Sequence, residues 1–480
     1  MRPHEDVINT IWKLSKSPEK YSEALKNLTS DLIDGLNQKN RLLEDPLKET
    51  RNRKIHLYED EIKAKLLGKI ILITGEGCIG SLLVKKLLKF GCCKRIIIVD
   101  SSGVCKSEDF EVKRYSLDIR DCKILRSIFQ KEMPNIVFHT AGQRNPGLAE
   151  KEIRRTITTN IFGSQNIISF CQEFGVEQCV FSSTGKASRY FTNEVYAGSK
   201  KFAEWLFYLA AKQGKTTYSM VRFTHILDNS LMEQELQKSI DEDKPVGVHS
   251  PGRYVTAQTA EEAVFLMLNS LVFSQKDELR FLIVRNLGWP TESLEVALWK
   301  IKESKKKLPL YFKGKPQGYT EPFFRGQLDW SDPMDMNFLI NALETPSKFI
   351  DASGDIIISA LTPVREELVE SKLNFLISNI DLSEDNLKSV LTECIKEIAK
   401  VSFIDADPLR ILQILKWGID RKYMEVENIS LIDYSPLIGM LTQALVGKPN
   451  FEEIMKNHVS ASEFSQMIAT LKNSESFLTV

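Results

Sequence analysis

The chain has 480 residues, with 64 Lys+Arg against 64 Asp+Glu, so its formal net charge is zero; 42% of residues are hydrophobic and 27% charged. This length predicts two or three domains, and the composition excludes wholesale disorder. The balanced charge, with no basic run longer than Lys305-Lys306-Lys307, argues against nucleic acid as a partner.

No stretch approaches the roughly 18 apolar residues of a membrane span. Met1-Arg2-Pro3-His4-Glu5-Asp6 has no apolar run behind it, so no secretory signal is expected either. The eight cysteines (Cys78, Cys92, Cys93, Cys105, Cys122, Cys171, Cys179, Cys394) and the six histidines form no ligand-spaced pairs. A cytoplasmic chain with packed, reduced cysteines and no structural metal is the expectation.

In chain order, residues 1–67 predict helix, because Ile8, Ile11, Trp12, Leu14 and then Leu25, Leu28, Leu32, Leu36 recur at three- and four-residue spacing. From Lys69 the period changes. Ile70-Ile71-Leu72-Ile73 is a short apolar run ending in Thr74-Gly75, the mark of a buried parallel strand. Further strands are predicted at Arg95–Asp100, Asn135–His139, Gln178–Ser182 and Tyr218–Phe223, with helical patterns between them. The alternation predicts an α/β fold with a doubly wound parallel Rossmann sheet over 68–330, its substrate lobe at about 225–330. Beyond Trp330 the strand signal disappears, and helical patterns at 365–377, 386–401, 409–415 and 451–471 predict a helical C-terminal region over 331–480, with the option that it joins the N-terminal helices. Trp289, Trp299 and Trp417 are expected in cores.

Thr74-Gly75-Glu76-Gly77-Cys78-Ile79-Gly80 closes the first strand and opens a helix. In that position Gly75 permits the tight turn, Gly77 admits a pyrophosphate, and Gly80 allows close helix–strand packing, while the helix N-terminus offers N–H groups to the anion. Asp100 ends the second strand 20 residues after Gly80, where an acid accepts from ribose hydroxyls; NAD is favoured, with NADP left open.

Thr184 is followed twelve residues later by Tyr196-Ala197-Gly198-Ser199-Lys200. Tyr-x-x-x-Lys puts both side chains on one helix face. An ammonium there lowers the phenol's pKa and can hold the nicotinamide ribose; Tyr196 would act as general base, with Thr184 as its hydrogen-bonding partner.

This ordered set resembles the extended short-chain dehydrogenase/reductase superfamily, and more narrowly the UDP-N-acetylglucosamine 4,6-dehydratase group of capsular and flagellar polysaccharide biosynthesis. The resemblance covers roughly 50–345. It rests also on Ile55-His56-Leu57-Tyr58 and Leu117-Asp118-Ile119-Arg120-Asp121, and on Phe138-His139-Thr140-Ala141-Gly142 with Arg144 and Glu150 after it. Thr159-Asn160, Val221-Arg222-Phe223, Gly252-Arg253-Tyr254 and Lys315-Pro316-Gln317-Gly318 complete it. It implies cofactor contacts from Thr74, Gly75, Gly77, Cys78, Ile79, Gly80, Asp100, Asp118, Ile119, Ala141, Gly142, Asn160, Tyr196 and Lys200. It implies substrate contacts from Arg144, His225, Arg253 and Lys315, and catalysis by Thr184, Lys186, Tyr196 and Lys200. A nucleotide-sugar substrate and, by analogy with relatives that dimerise through helices, a homo-oligomer are further implications.

The chain departs from the pattern of this group. Thr184-Gly185-Lys186 stands where Thr-Asp-Lys is usual, so the acid that assists departure of the C6 hydroxyl is missing while Lys186 remains available as a base. The glycine loop is one residue shorter, His225 replaces an Asn, and Leu227-Asp228-Asn229-Ser230 is an abbreviated loop. Transient oxidation at the sugar C4, with epimerisation, dehydration or a net redox outcome, is the leading expectation, and the missing acid counts against ordinary dehydration. The alternatives are a catalytically degenerate dinucleotide-binding scaffold and a reductase of a non-sugar carbonyl; Arg253, facing a diphosphate, disfavours the latter.

Overall fold

A computed structural model describes residues 3–102, 112–321, 323–427, 430–449 and 451–460. Seven parallel strands form the centre of one sheet: Val112–Ser116, Arg95–Asp100, Ile70–Thr74, Ile136–His139, Gln178–Thr184, Thr217–Phe223 and Arg280–Val284, in that spatial order. The chain starts mid-sheet, runs outward to one edge, then returns and builds the other half. The order therefore reverses between Ile70–Thr74 and Ile136–His139, and ligands of such sheets lie outside the carboxyl ends of the strands at this switch point. Apolar runs such as Ile70–Ile73 and Ile96–Val99 are buried, as strands covered on both faces require.

Four strands of this sheet were not expected: Val112–Ser116 and Arg280–Val284 among the parallel seven, and two beyond them. Ile356–Ala360 pairs antiparallel with Arg280–Val284, and Phe349–Ile350 pairs with it in turn. The expectation that strands end at Trp330 is corrected: Ile356-Ile357-Ile358 is a buried run, but it follows a tight turn through Gly354 at φ 82° instead of a crossover helix, so it lacks the βαβ rhythm that marks the others.

Of the N-terminal helices (Pro3–Leu14, Ser22–Gln38, Lys48–Asn52, Glu59–Leu66), the last packs through Ile62 and Leu66 onto the main core, and the segment before it packs on the lobe. Ile11, Leu25, Leu32, Leu36, Leu42 and Leu47 share a core with Leu236, Ile240, Val246, Leu298 and Leu310 of the lobe after Phe223. Beyond the sheet, helices Glu366–Ser378 and Glu384–Asp405 pack through Val369, Leu376, Leu391 and Ile395 onto the main core. Helices Pro408–Gly418 and Ser435–Val446 form a third core with Tyr190 and Phe324. Of the pattern predicted over 451–471, helix Phe451–His458 is observed and ends before Val459; residues 461–471, like Cys105, lie outside the described residues. No helix among the described residues is long and apolar enough to cross a membrane, and no group of His, Cys, Asp or Glu there could hold a metal ion.

Trp289 is not a core residue. It is 95% exposed at the rim of the cleft described next, whereas Trp299 and Trp417 are partly buried against the lobe core and the third core respectively.

Candidate active site

A cleft of about 1150 Å³ opens at the carboxyl ends of the central strands. Its floor is the glycine turn. Gly75, at φ 84°, has no room for a side chain, because a Cβ there would lie 2.8 Å from the Ala141 nitrogen; at Gly80 it would lie 1.9 Å from the Gly75 carbonyl oxygen. At Gly77 it would meet nothing within 4 Å. Two glycines thus lock strand to helix, while the third borders open space in the cleft. Gly77 begins helix Cys78–Phe90, which has no side-chain cap at its N-terminus and no acid in its first turn, leaving its amide dipoles suited to an anion. These features fit a dinucleotide pyrophosphate.

The other expected cofactor residues fall into two groups. Cys78, Ile79, Gly80, Gly142, Tyr196 and Lys200 line the cleft; Thr74, Ala141, Ile119 and Asn160 sit behind it. Thr74 Oγ1 is 2.7 Å from His139 Nδ1 and accepts from the Ala141 N–H. Asn160, on a π-helical turn (Thr158–Phe162), accepts from the Gln143 N–H at 2.8 Å and donates to Ser199 Oγ at 3.0 Å. It ties the loop after the fourth strand to the Tyr196 helix. Asp100 accepts from the Glu76 N–H at 2.7 Å, so it shapes the turn itself. Asp118 lies in a separate hollow with Arg120 and Thr158, and its pairing with Arg120 holds its carboxyl below the usual range.

Tyr196 and Lys200 lie one turn apart on helix Val195–Lys212, whose flanks are almost wholly buried. Glu150 fixes the start of this helix by accepting from the Val195 N–H at 2.8 Å, and Lys388 holds its second oxygen at 2.6 Å. Lys200 Nζ donates to the Ser182 carbonyl at 3.0 Å, and burial pushes the ammonium down to about 8. Burial also pushes the Tyr196 phenol up, opposed by the Thr184 side chain and by the charge of Arg144. Arg144, whose charge beside this phenol the spacing did not reveal, also reaches Asn229.

Along the wall beside Tyr196 runs a chain of ion pairs that spacing did not reveal. Lys186 Nζ donates to Glu194 Oε2 at 2.6 Å and to the Gly318 carbonyl at 2.7 Å, and it lies over the Tyr319 ring, 4.6 Å from its centroid. Arg189 Nη1 bridges Glu194, at 3.1 Å, and Glu321, at 2.6 Å. Lys315, Tyr319 and Glu321 line the cleft because the turn through Gly318, at φ 80°, docks tightly on Pro146. The one sequence cue to this contact is the Lys315–Gly318 turn itself. Gly185 is packed as well: a Cβ there would lie 2.1 Å from Leu339 Cδ2. His225 is half-buried and held by Ser230, with Nε2 and Oγ 2.7 Å apart; burial lowers its pKa, so it is neutral near pH 7.

Six cationic side chains (Arg144, Lys186, Arg189, Lys200, Arg253, Lys315) face two carboxylates (Glu235, Glu321) across this cleft, an imbalance that favours an anionic ligand. No carboxylate among the described residues pairs with Arg253 or Lys315.

The sheet order, the glycine turn and the Tyr-x-x-x-Lys helix define a Rossmann protein of the extended short-chain dehydrogenase/reductase type. Residues 71–311, half of the chain, match the family described as polysaccharide biosynthesis protein, and the chain belongs to that family. Among its relatives are the probable polysaccharide biosynthesis protein EpsC of Bacillus subtilis, 24% identical over 51% of this chain and 42% of that protein, and the capsular polysaccharide biosynthesis protein CapD of Staphylococcus aureus, 25% identical over 59% and 52%. An inverting UDP-N-acetylglucosamine 4,6-dehydratase of Campylobacter jejuni is 32% identical over 33% of this chain and 50% of that enzyme. The chain thus spans about half the length of these curated relatives. The crystal structure of Pen from Bacillus thuringiensis shares the fold, with TM-score 0.51 and 20% identity over 61% of this chain and 88% of that one.

Proposed function

We propose that this chain is an enzyme that acts on a nucleotide-activated sugar through transient oxidation at C4, with NAD as its resident cofactor. The observation that carries this reading is that a single cationic cleft contains the glycine turn, the Tyr196–Lys200 pair, Thr184 and the carboxylate-free Arg253. Bound NAD would accept and return the C4 hydride. The chain's own residues would do the rest. Tyr196 takes the proton of the C4 hydroxyl, and Thr184 and Arg144 favour its phenolate. Lys200, anchored on the Ser182 carbonyl, orients the ribose. Arg253 and Lys315 hold the diphosphate. Asp100 supports NAD over NADP, since a 2′-phosphate would meet its carboxylate.

The test is Tyr196→Phe. With UDP-N-acetylglucosamine added, the wild-type chain loaded with NAD should show the absorbance band of reduced nicotinamide, and the variant should not, while keeping its fold and its affinity for NAD. Equal bands in both would refute the assignment. A chain that binds NAD but never develops the band on any nucleotide sugar would instead fit the scaffold reading, which the filled position beside Gly185 favours.

A further inference from the structure

We propose that Glu321 is a general acid of this cleft and that Lys186 is its partner base, so that the sugar loses water after C4 oxidation. The inference rests on the reading above. Dehydrating a 4-ketose needs a base at the C5 hydrogen, which the ketone acidifies, and an acid at the C6 oxygen; the two must share one wall.

Among the described residues, two carboxylates line the cleft. Glu235 is largely exposed and paired with Lys313 at 2.9 Å. Glu321 is different in three respects. Its side chain is mostly buried, and Oε2 takes both available bonds, from Arg189 Nη1 at 2.6 Å and Thr192 Oγ1 at 2.5 Å. Both bonds fall on Oε2, and Oε1 takes none among the described residues, on a side chain that borders the cleft. Burial raises its pKa, and the Glu194 carboxylate adds to the rise, against Arg189 and Thr192. Lys186 moves the opposite way: burial lowers its pKa, although Glu194 resists. A carboxyl whose pKa is raised and an amine whose pKa is lowered, linked through Arg189 and Glu194, are shifted towards the donor and acceptor roles of such a pair.

No carboxylate could serve from the end of the strand instead, because Leu339 fills the space beside Gly185. In the step itself Lys186 Nζ takes the C5 proton, and the C–H electrons become the C5–C6 double bond. The C6–O bond breaks, and the departing oxygen takes the proton of Glu321 and leaves as water. Glu321 is then a carboxylate held by Arg189 and Thr192. No oxidant or reductant is consumed in this step.

The test uses the full chain loaded with NAD, UDP-N-acetylglucosamine as probe, the reduced-nicotinamide band for C4 oxidation, and mass spectrometry for water loss from the sugar. The wild type should give both signals. Glu321→Gln should keep the band and lose dehydration by about 100-fold; Glu321→Asp should recover part of the rate, and Glu235→Gln should match wild type. Dehydration at the wild-type rate in Glu321→Gln overturns the assignment. So does loss of the band in that variant, which would mark a structural residue. A wild-type band without water loss overturns the acid while leaving C4 oxidation standing; no band in the wild type overturns both.

Discussion

Leu339, from a segment more than 150 residues downstream in the chain, occupies the space that a side chain on Gly185 would need, with its Cδ2 2.1 Å from the position of a Cβ there. The two residues are complementary: the absent side chain makes room for the buried Leu, and the Leu excludes any replacement.

Gly185→Asp should therefore destabilise the fold by about 1–3 kcal/mol through overpacking. Leu339→Ala alone should cost about 2–5 kcal/mol, and the double variant less than the sum of the two, since the truncation relieves the clash. Chemical denaturation of the four proteins reads this coupling; strict additivity would contradict it.

A second prediction concerns Arg222, fully buried between Glu204 at 2.8 Å and Glu344 at 2.7 Å. It ties the sixth strand to the Tyr196 helix and to the segment that carries Leu339. Arg222→Met would leave two buried carboxylates uncompensated and should cost about 3–5 kcal/mol. Glu344→Gln, which keeps a hydrogen-bond acceptor, should cost less. Unfolding midpoints distinguish the two.

Acid should also weaken the fold through His139. Burial lowers its pKa to about 3 from an ordinary 6.5. The unfolded chain thus binds more protons than the folded one between those values, and stability present above about pH 6.5 is lost as the pH falls towards 3. His139→Gln, which can still bond Thr74 and Ser164, should flatten the stability profile in that window. An unchanged slope would place the acid sensitivity elsewhere.

Removing the guanidinium of Arg253 should weaken UDP binding by about 10- to 100-fold, the range for a charge-assisted bond, and leave NAD affinity unchanged, because the glycine turn and the Tyr196–Lys200 pair that would hold the dinucleotide stay intact. Parallel titrations with UDP and NAD measure both. Equal losses would mean that Arg253 serves the fold.

What was legible in the chain was local. The glycine turn and the Tyr196–Lys200 pair are fixed by spacing within one turn of backbone, and the strands announce themselves as apolar runs between helical patterns. The Lys186–Glu194–Arg189–Glu321 chain was not legible, because Glu321 arrives from over 120 residues away and nothing in its neighbourhood marks it apart from the Lys315–Gly318 turn. Trp289 misled for the opposite reason: a patterned surrounding predicts burial, but the aromatic stands at the end of a loop at the cleft rim, where nothing packs over it. Ile356–Ala360 lacked the crossover helix that marks a parallel strand.

The sheet order and the third core together bear on how this protein can be divided. A chain shortened to residue 311, where the family match stops, would keep the whole dinucleotide turn. It would forfeit Lys315, Tyr319, Glu321 and Leu339 from the cleft wall and one of the two carboxylates that neutralise Arg222. Such a fragment would be a trough without its far bank, its glycine turn intact but the other side of its cleft open to bulk water.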